Sequence, residues 1–295
     1  MTLKSLDSRL RGNDEQKPSS TSHDPNTTSD NEPSKEPTLM LDMRQVTKVY
    51  RTELVETHAL RSLDLHVRDG EFVAVTGPSG SGKTTFLNIA GLLETFTGGE
   101  YKLDGEDVRG LSDDARSRLR NQKIGFIFQS FNLIPDLNLF DNCDVPLRYR
   151  RMPAAERKQR IEQALTQVGL GSRMKHYPAE LSGGQQQRAA IARALAGSPR
   201  LLLADEPTGN LDSQMARGVM ELLEEINAAG TTIIMVTHDP ELAARAQRNV
   251  HIVDGMATDL TAEPSLIRAP TPMSSTMDHA TDDAAPAGAV DTTHA

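Results

Sequence analysis

Two glycine-rich strings carry the chemistry of this chain. Gly77-Pro78-Ser79-Gly80-Ser81-Gly82-Lys83-Thr84 fits the pattern G-x-x-x-x-G-K-[ST], and about a hundred residues later the chain reads Leu181-Ser182-Gly183-Gly184-Gln185. Glycine lets a backbone curl so that successive amides face one point, and a helix starting there adds the positive end of its dipole. Both strings are therefore anion sites suited to phosphate. In the first, Gly77, Gly80 and Gly82 permit the curl around Pro78, Ser79 and Ser81. Lys83 brings a point charge to the outer phosphates of a nucleoside triphosphate, and the Thr84 hydroxyl can ligate Mg2+, with Thr85 completing the phosphate site. A plain Gly/Ser loop is the bland alternative, and the lysine and threonine in register argue against it. In the second string Ser182 is a good N-cap and Gln185 stands three residues on, the spacing of a capping box.

The elements around these strings are what such chemistry needs. Glu71–Thr76 is an apolar, β-rich run, and Thr85–Ala90 reads as helix, which gives strand, loop and helix in the order that supports a phosphate-binding loop. Leu201–Ala204 is a second short apolar run ending in Asp205-Glu206. A carboxylate at the carboxyl end of a parallel strand stands beside the phosphate loop. Asp205 is placed to hold Mg2+ through water and Glu206 to polarise an attacking water. A solvated Asp-Glu pair at a strand end is common, so this reading leans on the loop upstream.

At this point the chain resembles the ATP-binding subunit of an ABC transporter, from about Leu41 to Met256. The resemblance implies roles for further residues. Gln129, after Ile124–Phe128, falls at the glutamine that senses the γ-phosphate and metal and faces the membrane partner. Leu181–Gln185 falls at the signature motif, which closes on the ATP held by the opposite subunit. Asp212, in Gly209-Asn-Leu-Asp212, falls in the loop that crosses the dimer interface, and His238 at the switch histidine that contacts the γ-phosphate. Tyr50 falls at the aromatic residue that stacks on adenine. The implied catalytic set is Glu206, His238 and Gln129, the implied metal set Thr84, Gln129 and Asp205, and the ligands ATP and Mg2+. The implied fold is an α/β P-loop NTPase core with a mainly parallel sheet, an N-terminal antiparallel β subdomain and an inserted helical subdomain at about 130–195.

Stretches such as Phe128–Pro135 and Asp205–Asp212 resemble the macrolide-export and lipoprotein-release ATPases. That group implies a head-to-tail homodimer driving a separate membrane permease from the cytoplasmic face of the inner membrane. Asp141-Asn-Cys-Asp departs from the Glu-Asn-Val usual after the glutamine loop. Two alternatives belong to other classes: a mechanotransmission ATPase that signals through a membrane partner, and a soluble ABC ATPase of DNA repair or translation. The second usually has two cassettes or a long coiled coil. One cassette without sustained heptads argues against it, and no nucleic-acid partner is expected.

Composition agrees with one domain between two extensions. The chain has 295 residues and a net charge of −9. The first 38 residues carry seven acidic and five basic side chains, and the last 39 carry six and one. The acidity thus sits largely in the ends and says nothing about substrate. Both ends lack apolar periodicity, so 1–38 and 257–295 are expected to be disordered around a domain at 39–256. Met40 and Met43 lie at the N-terminal edge of that domain and offer alternative starts. The single cysteine, Cys143, excludes an internal disulfide and suits a reducing compartment. No apolar run approaches the ~20 residues that cross a bilayer, and no secretory signal is read at the N-terminus.

Ile161, Ala164, Leu165 and Val168 share one helical face, as do Met215, Val219, Leu222, Leu223 and Ile226. Pro153 suits a first helical turn and Gly230 a helix stop. Leu147–Lys175 holds eight Arg/Lys against two Glu, which suits either anionic headgroups or an ordinary solvated face. Phe131–Asp144 is apolar for a surface loop, and any exposed part of it would suit a permease helix.

Overall fold

The computed structural model describes residues 38–261. The expectations for 1–37 and 262–295 lie outside them. In chain order the elements are β1 (Leu39–Arg51), β2 (Glu56–Arg68), β3 (Phe72–Thr76), α1 (Lys83–Ala90), β4 (Gly98–Leu103), β5 (Glu106–Asp107), α2 (Asp113–Lys123), β6 (Ile124–Ile127), α3 (Leu139–Tyr149), α4 (Ala154–Gln167), α5 (Gly183–Leu195), β7 (Leu201–Asp205), α6 (Ser213–Ala228), β8 (Thr232–Val236), α7 (Pro240–Ala243), β9 (Arg248–Val253) and β10 (Met256–Asp259). Two short 3₁₀ turns, Gly171–Arg173 and Pro178–Glu180, join α4 to α5.

The strands form two sheets. One is antiparallel, in the order β2-β1-β4-β5. The other runs β10-β9-β3-β8-β7-β6, parallel throughout except for the β9–β10 hairpin at its edge. Its central strands are apolar at nearly every position because both faces are covered. Val73 and Val75, Leu201 and Leu203, and Ile234 and Val236 enter a core shared with α1 and the antiparallel sheet. Phe72 and Ala74, Leu202 and Ala204, and Ile233 and Met235 point the other way, into a core shared with α3, α4, α5 and α6. The period of two along each strand thus assigns α1 and α5 to opposite faces of one sheet.

Ile161, Ala164, Leu165 and Val168 are all buried, as the helical periodicity requires. On α6, Val219, Leu222, Leu223 and Ile226 are buried, while Met215 is 39% exposed at the start of the helix. Gly230 adopts φ +101° just past α6, a conformation that L side chains rarely adopt, and it ends the helix there. Pro153 precedes the first helical residue of α4 instead of lying inside the turn. The chain stays in the sheet beyond the expected boundary at 256: β10 continues to Asp259, whose carboxylate takes Arg248 Nε at 2.6 Å.

Candidate nucleotide site

The phosphate loop sits between β3 and α1. Gly82 takes φ +105° at the N-cap of α1 and no side chain caps that end, so the first amides of the helix stay free for a ligand. Gly77 is required by space as well as by conformation. A Cβ there would lie 2.1 Å from the Ile252 carbonyl oxygen of β9, and one on Gly82 would lie 2.5 Å from that of Ala59. Gly80 faces open space at φ +75°, alongside the exposed Pro78 and Ser79. Lys83 Nζ arches back over the loop and donates to the carbonyls of Gly77 and Pro78 at 2.9 and 2.7 Å. Ser81 Oγ is buried with no hydrogen-bond partner among the described residues, which leaves one more donor on the loop. Thr84 is exposed at the first turn of α1, and Thr85 is half-buried beside it.

Carboxylates approach from β7. Burial, reinforced by the neighbouring Glu206 charge, raises the Asp205 pKa above the ordinary carboxylate value, against the pull of Lys83. Asp205 therefore lies within electrostatic reach of the loop lysine, as the strand-end argument expects. Glu206 adopts φ +44°, a left-handed conformation that costs a non-glycine residue on the order of 1–3 kcal/mol. Its amide donates to the Val236 carbonyl at 2.9 Å, pinning the strained turn to the end of β8. His238 follows β8, and its Nδ1 lies 2.9 Å from Glu206 Oε1. The structure thus brings together Lys83, Asp205, Glu206 and His238 at the carboxyl ends of adjacent strands.

Gln129 lies on the loop that follows β6, against the Gly209–Asn210 turn. Its side chain lies against Gly209, where a Cβ would be 2.6 Å from Nε2, and its carbonyl accepts from Asn210 Nδ2 at 2.9 Å. Asp212 acts locally, its Oδ1 accepting from the amides of Gln214 and Met215 to cap α6. Tyr50 is 40% exposed near the end of β1.

The Leu181–Gln185 string forms the capping box its spacing calls for. Ser182 Oγ accepts from the Gln185 amide, and Gln185 Oε1 accepts from the Ser182 amide at 3.1 Å. Ser182 is exposed and Leu181 is buried. A Cβ on Gly184 would crowd the Met215 thioether at 2.9 Å, whereas one on Gly183 would make ordinary contacts, 3.5 Å from Leu211 and 3.8 Å from Phe131. Arg193 of the same helix donates to the Phe131 carbonyl at 2.9 Å and to that of Asn132. The segment after Gln129 is therefore bonded to the signature helix.

Sequence reasoning passed over Asn142 and Asn210. Asn142 is buried and ties Ile134 by both its amide groups, with further donations to the carbonyls of Leu137 and Asn138. An asparagine inside an apolar stretch is the signal that would have found it. Burial pushes the Cys143 thiol up to about 12, which makes it an inert core residue. The basic stretch is largely used internally: Arg148 and Arg157 hold Asp144, Arg160 holds Glu156, and Arg150 binds Asn121 and the Gly197 carbonyl. These bonds favour the ordinary solvated face. A polar depression on the antiparallel sheet is lined by Arg44, His66, Glu100 and Arg109, but Arg44 is bonded to Asp42 and Arg109 is paired with Glu100.

A family model described as ABC transporter matches residues 60–209. The ABC transporter ATP-binding protein YknY of Bacillus subtilis is 47% identical over 216 residues, which cover 73% of this chain and 94% of that protein. The chain belongs to the ABC transporter family. It is an ABC ATPase with a nucleotide site. The macrolide export ATP-binding/permease protein MacB of Azoarcus sp. is 48% identical over 218 residues, 74% of this chain but 33% of MacB. The chain thus spans about a third of that relative. Among solved structures, a dimeric post-hydrolysis state of the ATP-binding cassette MJ0796, bound to ADP and Pi, is 41% identical with a TM-score of 0.68, covering 75% of this chain and 99% of that one.

Proposed function

We propose that this chain is the ATP-hydrolysing subunit of an export or lipoprotein-release transporter, working as a head-to-tail homodimer on a separate membrane permease. The observation that carries the reading is the separation of two anion-binding helix starts. The helix of the phosphate loop covers one face of the central sheet and the signature helix packs on the other. Two copies facing head to tail would bury two ATP molecules, each between a phosphate loop and a signature helix. MJ0796 is described as dimeric with ADP and Pi, and MacB joins an ATP-binding part to a permease in one protein; both support the proposal.

The residues present fit a magnesium nucleotide. Among the described residues, no three His, Cys, Asp or Glu side chains gather as a metal site. Mg2+ commonly takes one or two carboxylates and completes its shell with phosphate oxygens and water, and Asp205, Thr84 and Gln129 would supply such a sparse oxygen set. ATP supplies the phosphoryl group transferred to water, with Mg2+ neutralising charge on its oxygens. Lys83 and the free amides of α1 bind and orient the phosphates. Glu206 accepts the proton of the attacking water at Oε2, while His238 holds Oε1 and fixes the carboxylate plane. Loss of the γ-phosphate loosens the grip of both copies, and the dimer opens.

The permease would dock beside the signature helix. Leu139 is buried and Leu133 and Phe140 pack on the core, but Ile134 is 41% exposed and held in place by Asn142. The Arg193 bonds to Phe131 and Asn132 would carry movement of α5 into this patch. No helix among the described residues is long and apolar enough to cross a membrane, so attachment to the cytoplasmic face would come through the partner. The test is copurification of the full chain with a polytopic membrane protein bearing a large extracytoplasmic domain. Charged substitution at Ile134 or Leu137 should release it and spare ATP binding. Crosslinks from these positions that reach only soluble proteins or nucleic acid would refute the transporter reading.

A further inference from the structure

Lys48 and Tyr50 stand two residues apart on β1, where the pairing with β2 is irregular at Lys48–Val49, and their side chains meet on one side of the strand. The Lys48 ammonium lies 4.8 Å from the centroid of the Tyr50 ring. Lys48 is 8% exposed, whereas Tyr50 is 40% exposed. One face of the ring is therefore backed by a buried cation while the side chain still reaches solvent. The cation is anchored from below: Nζ donates to Glu94 Oε1 at 2.8 Å and to the Thr95 carbonyl at 2.7 Å.

The anchor belongs to the segment that leaves α1, the helix whose first turn carries Lys83 and Thr84. Leu93 and Glu94 donate their amides to the Asn88 carbonyl, which folds the segment back on the helix. Thr97 then clamps β1 on either side of Lys48: its amide donates to the Thr47 carbonyl at 2.7 Å, and its Oγ1 accepts from the Val49 amide at 3.0 Å. Tyr101, fully buried, donates its hydroxyl to the Ala90 carbonyl at 2.7 Å and fixes the end of α1 on the same sheet.

The geometry points to Lys48 as a positioning residue for base recognition, holding the Tyr50 ring by its inner face so that the outer face is a ready platform for adenine. The inference rests on the adenine-stacking reading of Tyr50 and adds a residue to it. A cation above a ring is attracted by the negative quadrupole of its face, which fixes ring orientation. It also draws electron density away from the opposite face, where a purine would stack, and so weakens the repulsion between the two π clouds. A flexible tyrosine at a strand end would lose rotamer freedom on binding; this one has lost it beforehand.

Lys48→Met keeps the apolar stem and removes the charge. In the full chain it should weaken ATP binding by about threefold to tenfold, the range a cation on an aromatic ring implies, with kcat nearly unchanged. Inorganic triphosphate, which has no base, should compete for the site as well against the variant as against the parent chain. Lys48→Arg should restore most of the ATP affinity, and Lys48→Met should cost nothing further in a Tyr50→Ala background. If Tyr50→Ala weakens ATP but Lys48→Met does not, Lys48 has no such role and the stacking reading stands. If Tyr50→Ala leaves ATP binding intact, the stacking reading fails and the role of Lys48 goes with it. Equal weakening of ATP and triphosphate by Lys48→Met would mark a loss of folding at β1 and overturn the proposal.

Discussion

His238 Nδ1 lies 2.9 Å from Glu206 Oε1, although the two residues are 32 apart in the chain and leave different strands. The contact exists because β7 and β8 are parallel neighbours, with Asp205 paired to Val236, so both chains turn away from the sheet at the same level. It is held on one side by the left-handed backbone of Glu206 and on the other by Asp239, which caps α7 through the amides of Glu241 and Leu242. An imidazole and a carboxylate placed this way can hold one oxygen and leave the other for a proton.

Glu206→Gln should therefore separate binding from chemistry. The amide keeps the shape and can still meet His238, but it cannot accept a proton from water. ATP binding should persist while kcat falls by about 10²–10⁴, the usual worth of a positioned general base. Single-turnover hydrolysis alongside fluorescent-nucleotide binding reads both quantities, and near-normal turnover would remove Glu206 from the role.

Asp205 should make the nucleotide-free protein pH-sensitive. Burial first, and the Glu206 charge second, raise its pKa, with Lys83 opposing. A carboxyl whose folded pKa exceeds its unfolded value takes up a proton on folding, so its contribution to stability is unfavourable above the raised value. That penalty fades as pH falls through the interval between the raised and the unfolded pKa. Asp205→Asn should accordingly raise the melting temperature at pH 7–8 and lose that advantage in acid, while abolishing Mg2+-dependent hydrolysis. Thermal scans of both chains from about pH 4 to 8 check this, and a variant that melts lower at neutral pH would contradict it.

Two glycines should fail in different ways. A Cβ on Gly77 would come within 2.1 Å of the Ile252 carbonyl, and backbone cannot yield there, so Gly77→Ala should lose nucleotide binding outright. A Cβ on Gly184 meets the Met215 side chain along its length, Sδ at 2.9 Å, Cγ at 3.2 Å and Cβ at 3.3 Å, so the thioether must move and the two helices must part slightly. Gly184→Ala should fold and bind nucleotide but hydrolyse more slowly by about an order of magnitude or more, since α5 is displaced against α6 at the signature. Equal loss of nucleotide binding in the two variants would contradict the separate duties assigned to the two strings.

How much of this is legible in the sequence follows from what each feature depends on. The phosphate loop, the Ser182 capping box and the apolar central strands depend on local spacing, and they stand where spacing puts them. α2 escapes a reading by periodicity because it buries only Leu119 and so has no apolar stripe; its signals are a Ser112 cap with Asp113 and Asp114 in its first turn. β10 alternates exposed and half-buried residues at a sheet edge, which leaves no hydrophobic pattern to read. Lys48, Asn142 and Asn210 matter through contacts closed by the fold, with partners that local spacing does not identify. Resemblance assigns Asp212 to an interface, and within the chain its carboxylate is occupied in capping its own helix.

The end of β10 gives a test of where the domain stops. Its four residues pair with Val250–Val253 of β9, Arg248 binds Asp259 at 2.6 Å, and the Leu260 amide donates to the Asn249 carbonyl. β9 in turn flanks β3 and supplies the Ile252 carbonyl that packs on Gly77. Ending the chain after residue 255 should thus uncover an edge of the parallel sheet beside the phosphate loop, whereas ending it after 261 keeps the hairpin. With several backbone bonds and one ion pair removed, the shorter form should lose about 2–3 kcal/mol and melt several degrees lower. It should also bind ATP more weakly, because the loop rests on the strand that has lost its neighbour, and an exposed edge should make it aggregate at high concentration. Equal melting temperatures and equal ATP affinities for the two forms would show that β9 needs no partner, and would return the functional boundary to residue 256.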